Sequence, residues 1–134
     1  MSSSTLFRGA AALVLLVIVC PASSQPRPAG TTRTDLQRHD LSAPDREVLQ
    51  ARVDFAPGSS FPRHTHPGEE VIYVIEWTLE YELPDKGWVT LKEGDVLFVP
   101  AGGVHAARNR GTAPAAELAT YVLVKGQPLT RFVE

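Results

Sequence analysis

The sequence predicts an all-β fold, a sandwich or a barrel, and three observations carry that expectation. Short apolar or alternating segments recur at even spacing from Glu47 onward. Clusters of Gly, Pro, Asp and Ser separate them, and no window has the periodicity of an amphipathic helix. A chain of 134 residues is sized for one domain, and 43% apolar with 21% charged residues describes a folded rather than a disordered protein.

Taken in order, residues 1–24 have the make-up of an export signal. Arg8 is their only charge, and the apolar run Ala11–Cys20 is shorter than the roughly 20 residues a membrane span needs and stops at Pro21. Small residues at Ala22 and Ser24 fit cleavage before Gln25. Cys20, the only cysteine, stands where a lipid-anchored protein would be acylated. Val19 precedes it, however, where that signal has Gly, Ala or Ser, so a soluble periplasmic or secreted form is expected instead. Such a mature chain has no disulfide and no membrane span after leader removal. Thirteen basic residues less Arg8 leave 12 against 15 acidic ones, a net charge of −3. That balance offers no electrostatic footprint for nucleic acid.

Residues 25–45, "QPRPAGTTRT" followed by "DLQRHDLSAPD", lack periodicity and are expected as a flexible polar lead-in. Residues 46–134 are expected as the β domain. "EVLQARVDF" alternates apolar and polar side chains, and "VIYVIEW" is an apolar, β-rich run. In "TLEYEL", Leu79, Tyr81 and Leu83 share one face while Glu80 and Glu82 share the other. "WVTL", "DVLFVP", "VHAARN", "AELATYVLVK" and "LTRFV" follow as further short strands. "APGSS", "HPGE", "LPDKG", "KEGD", "PAGG", "NRGTAP" and "KGQP" supply the turns.

The chemistry concentrates at "RHTHPGEE". In extended backbone His64 and His66 point the same way, and the Pro-Gly turn lets Glu70 return to that side at the start of the next strand. His105 begins a later strand after the glycine-rich "PAGG". Three histidines and a carboxylate within about 40 residues fit a shared metal site better than separate structural roles. His39 lies in the polar lead-in and is read as a surface histidine. Glu69 is expected to face outward. Tyr73, Phe98, Tyr121 and Phe132 are expected mainly in the core, with pocket lining the alternative. Arg108 and Arg110 are expected to be solvated.

The same residues resemble the two motifs of the cupin superfamily. The first, G-x5-H-x-H-x3-E-x6-G, runs from Gly58 through His64, His66 and Glu70 to position 77. The second, G-x5-P-x-G-x2-H-x3-N, runs from Gly94 through Pro100, Gly102 and His105 to Asn109, with every fixed position met. The resemblance implies a small single-domain exported cupin, a double-stranded β-helix whose interior binds one divalent metal through His64, His66, Glu70 and His105. One position departs: Trp77 stands where the first motif ends on glycine. A turn with positive φ there would be strained by tryptophan, and relief of strain in Trp77→Gly is the expected outcome. The alternative is that the indole covers a barrel edge or a partner, which leaves a homodimer open.

The N3O donor set is compatible with Fe, Mn, Ni, Co, Cu or Zn. On an octahedral ion it leaves positions for substrate, whereas on tetrahedral zinc four protein ligands would close the site. The resemblance therefore implies a metal-dependent enzyme on a small molecule, of oxygenase, lyase or isomerase type. The alternatives are a non-catalytic periplasmic ligand- or metal-binding module and a barrel that the metal merely stabilises. No catalytic residue is assigned beyond Glu70 as a proton acceptor, and the expected partner is a small-molecule ligand.

Overall fold

A computed structural model describes residues 28–134 of the chain, so the expected leader and Cys20 lie outside the described residues. The described residues form ten strands and no helix. They are β1 (Thr31–Asp40), β2 (Arg46–Phe55), β3 (Ser60–Thr65), β4 (Gly68–Glu76), β5 (Thr78–Leu83), β6 (Gly87–Lys92), β7 (Val96–Val99), β8 (His105–Arg108), β9 (Ala115–Val124) and β10 (Arg131–Phe132). No helix among them is long and apolar enough to cross a membrane.

Two five-stranded antiparallel sheets result, ordered β1-β2-β9-β4-β7 and β10-β3-β8-β5-β6. Chain neighbours are repeatedly split between sheets, which gives the double-stranded β-helix that the sequence led us to expect. Side-chain alternation decides which face is inside. On β2, Leu49, Ala51, Val53 and Phe55 are buried, while Arg52 and Asp54 pair on the outer face. Ile72 and Val74 of β4, Leu79 and Tyr81 of β5, and Ala119, Tyr121 and Leu123 of β9 complete the core between the sheets.

Two expectations need correction. Residues Thr31–Asp40, expected as coil within the flexible lead-in, form β1 and pair along β2 from Thr31↔Phe55 to Asp40↔Glu47, with an irregularity between Asp35 and Gln37. Backbone hydrogen bonds hold this edge strand, and most of its side chains, His39 among them, are exposed. The aromatic residues also divide differently. Tyr121 is buried, but Tyr73 and Phe98 lie on the outer face and Phe132 is half exposed. Tyr73 is out of phase with the buried Ile72 and Val74 on the same strand, and the two-residue period forces it outward.

Candidate functional site

The first and second motifs are stitched together at both ends. The Gly58 amide donates to Asn109 O and the Asn109 amide to Ser59 O, each at 2.9 Å, while the Gly102 amide donates to His66 O at 3.1 Å. Between these ties β3 pairs with β8, setting His64 directly opposite His105. Glu70 sits opposite Tyr121 of β9, so both face the interior, whereas Glu69 points the other way, as expected. Residue 68, where β4 begins, is glycine because the β9 backbone passes directly against it. A Cβ there would collide with the Val122 carbonyl oxygen.

The motif glycines have a backbone reason. Gly58, Gly94 and Gly102 have φ of 76°, 88° and 71°, the left-handed region that a Cβ disfavours. Position 77 shares it: Trp77 has φ 62°, and its carbonyl accepts from the Glu93 amide at 2.9 Å. Asn109 is structural. Fully buried, it donates to Phe55 O and Ala113 O and accepts from the Gly111 amide.

His64, His66, Glu70 and His105 converge, each at most 5% exposed, and the three histidines bring ring nitrogens within 4.8 Å of one another. Each ring is held by its other nitrogen. His64 Nδ1 lies 2.7 Å from Pro62 O, His66 Nδ1 2.7 Å from Leu129 O, and His105 Nδ1 3.0 Å from Gly103 O. A carbonyl oxygen can only accept, so each Nδ1 carries a proton and donates. In a neutral ring the lone pair is then on Nε2. Glu70 Oε2 stands 3.4 Å from His66 Nε2 and 3.0 Å from His105 Nε2, so acceptors face an acceptor. His66 Nε2 and Glu70 Oε2 are buried without a hydrogen-bond partner, which is costly unless a cation or a proton lies between them. Three tautomer-locked imidazoles and a carboxylate make a donor set that fits a divalent metal.

Titration follows from the same geometry. Burial, with His105 and His66 alongside, pushes His64 down to about 3, so it is neutral near pH 7. Burial also opposes charge on His105, but the Glu70 carboxylate outweighs it and raises the pKa. For Glu70, burial favours the acid form, yet His105 and His66 prevail and hold the carboxyl well below the usual range.

These groups open into a cavity of about 340 Å³. Its walls include Val53, Phe55, Phe61, Leu129 and Phe132 together with Tyr81, Glu117, Tyr121 and Arg33. Glu117 was missed in the sequence. It is 4% exposed, and burial reinforced by the charge of Glu70 pushes its carboxyl well above the ordinary value. Arg108, expected to be solvated, is half-buried. It donates to Glu80 at 2.6 Å and stacks over the Trp88 ring at 3.6 Å, whereas Arg110 is exposed as expected.

Comparison with known proteins agrees with this geometry. The chain is 41% identical over 84 residues to germin-like protein subfamily 2 member 1 of Arabidopsis thaliana, a match that covers 55% of this chain and 36% of that protein. It thus spans little more than a third of the length of that relative. Among solved structures, the polyketide cyclase RemF from Streptomyces resistomycificus superposes with a TM-score of 0.65 at 27% identity, covering 82% of this chain and 75% of that one. An oxalate oxidase in complex with the substrate analogue glycolate superposes with a TM-score of 0.61 at 26% identity, covering 82% and 57%. The family model for the cupin domain matches residues 51–121, more than half of the chain and nearly all of both motifs' β framework, and the chain belongs to the cupin family.

Proposed function

We propose that the chain is an exported, metal-dependent cupin enzyme acting on a small molecule. His64, His66, His105 and Glu70 hold one divalent ion. The observation that carries this reading is the set of three histidines whose Nδ1 atoms are committed to backbone carbonyls, leaving Nε2 free around an unpartnered Glu70 oxygen. An ion at that point supplies Lewis-acid or redox chemistry to a bound ligand. The chain's own residues do the rest: the backbone carbonyls orient the rings, Glu70 accepts a proton when it is not engaged, and the apolar walls exclude water. Two structural relatives above 25% identity are named as a cyclase and an oxidase, which supports catalysis without assigning either substrate.

The test is metal content with a fold control. The purified chain should carry about one divalent ion, and His105→Ala, which removes a direct ligand, should abolish that stoichiometric uptake. The far-ultraviolet spectrum should remain β-rich. Unchanged metal content in that variant removes the proposed centre. Screening the loaded chain for turnover separates an enzyme from the second reading, a binding module without turnover. Export is tested independently, by an N-terminus of the mature protein near Gln25 rather than at an acylated Cys20.

A further inference from the structure

Two polar groups in the cavity wall have no role in the proposed metal centre. Tyr81 extends from β5 of one sheet and Glu117 from β9 of the other, so the pair belongs to two walls. They are 1% and 4% exposed, and both the Tyr81 hydroxyl and Glu117 Oε2 are buried without a hydrogen-bond partner. A buried polar atom left unpaired is destabilising, so such atoms persist where a bound molecule or water completes them. Around them the cavity is lined by Val53, Phe55, Phe61 and Phe132, and its volume exceeds what a two-carbon acid would fill.

Charge narrows the class of ligand. Two carboxyl groups, Glu70 and Glu117, lie in the wall. Arg33 is the only arginine or lysine among the described lining residues, and its Nε already donates to Asp35 at 2.8 Å. Away from the histidines, a second anionic group on a ligand would therefore find two carboxyl groups and a single cation, Arg33, whose charge is already paired with Asp35.

We propose that Glu117 and Tyr81 form a second polar pole of the cavity, which recognises the hydroxyl or carbonyl oxygen of an otherwise apolar, uncharged small molecule such as a phenol or a ketone. This rests on the reading of the cavity as the substrate site and adds the chemistry of the substrate. Burial raises the Glu117 carboxyl above its ordinary value and so favours the acid form, which can donate to such an oxygen. The Tyr81 hydroxyl donates or accepts to match.

The test compares equilibrium binding of 2-naphthol, naphthalene and 2-naphthoate, and of 4-ethylphenol with ethylbenzene, to metal-loaded and chelator-stripped protein. One buried hydrogen bond corresponds to about a tenfold preference for each hydroxylated probe over its hydrocarbon. In stripped protein 2-naphthoate should bind more weakly than 2-naphthol. Glu117→Leu with Tyr81→Phe should reduce the preference to within about twofold, while Glu117→Gln, which still donates, retains most of it. The apolar double variant should keep its metal and unfold at a temperature no lower than the parent, which separates lost recognition from lost structure. Equal binding of hydroxylated and hydrocarbon probes by the parent, or a preference that survives the double variant, overturns the proposal and leaves the pole to ordered water. Because the preference is read in stripped protein too, its fate is separable from that of the metal centre.

Discussion

Trp77 combines two effects of opposite sign on one residue. Its φ of 62° lies in the left-handed region, which costs a bulky L-residue roughly 1–2 kcal/mol. The expectation from sequence was that Trp77→Gly would relieve this strain. Yet the indole is only 50% exposed, and its Nε1 lies where a side chain on Gly111 would project. Half-burial of a large aromatic stabilises by about 1 kcal/mol, and glycine adds backbone entropy to the unfolded chain. These contributions nearly offset, so Trp77→Gly should shift stability by no more than about 1 kcal/mol. A double-mutant cycle exposes the packing that the single variant hides. Gly111→Ala should be costly in the parent, where the new Cβ meets the indole, and less costly in the Trp77→Gly background, where its contact with Asn109 Oδ1 at 3.2 Å remains. Denaturant unfolding of the four proteins should give a coupling of at least about 1 kcal/mol. Additive effects would mean that the ring does not rest on Gly111.

Strand β7 shows at the level of an element what alternation decides. Phe98 is 60% exposed and its neighbour Val99 is 3% exposed. Val99→Ala should cost on the order of 1–3 kcal/mol through the cavity it leaves, while Phe98→Glu should stay within about 0.5 kcal/mol. Val71, Tyr73 and Val96 extend the outer apolar surface around Phe98, in the cross-strand pairs Val71↔Phe98 and Tyr73↔Val96. A loss in Phe98→Glu that grows with protein concentration would place a second copy on this face and answer the open matter of a homodimer. The same alternation explains what could be read in the sequence. "TLEYEL" has one apolar and one acidic face, so Tyr81 is correctly inward. In "AELATYVLVK", Leu118, Val122 and Val124 are apolar on the face opposite Ala119, Tyr121 and Leu123. Alternation puts Glu117 on the face of Tyr121, but with both faces apolar nothing in the string reveals that this face is the inward one. β1 was illegible for a different reason: its partner is held through backbone, and side chains exposed on both faces leave no pattern. His64, His66, Glu70 and His105 were legible because turn glycines and ligands recur at spacings that the β3–β8 pairing turns into proximity.

At the scale of the whole molecule, the barrel closes around ionisable groups whose titrations oppose one another, and the pH dependence of stability follows from their signs. His64 is lowered from 6.5 to about 3. Between these values the unfolded chain binds a proton that the native chain does not, so stability rises with pH across that window. Glu70 is lowered from 4.5, so its contribution is present above 4.5 and lost as pH falls below it. Glu117 is raised well above 4.5: the unfolded chain ionises there while the native carboxyl stays neutral, and stability falls as pH rises. His105 is raised above 6.5, so its contribution is fully present below 6.5 and is lost as pH climbs through the native value. Above 4.5, His64 therefore favours higher pH and Glu117 lower pH, and the two contributions oppose one another. The chelator-stripped chain should have its stability maximum between 4.5 and 6.5, with losses on both sides, in urea midpoints taken from about pH 4 to 9. A bound divalent ion requires neutral histidines and an ionised Glu70, so it adds stability that increases with pH. Loading should therefore move the maximum to the alkaline side, and Glu117→Leu should flatten the alkaline limb of the stripped chain. A maximum that stays in place on loading would mean that the ion, wherever it binds, does not compete with protons for His64, His66, His105 and Glu70.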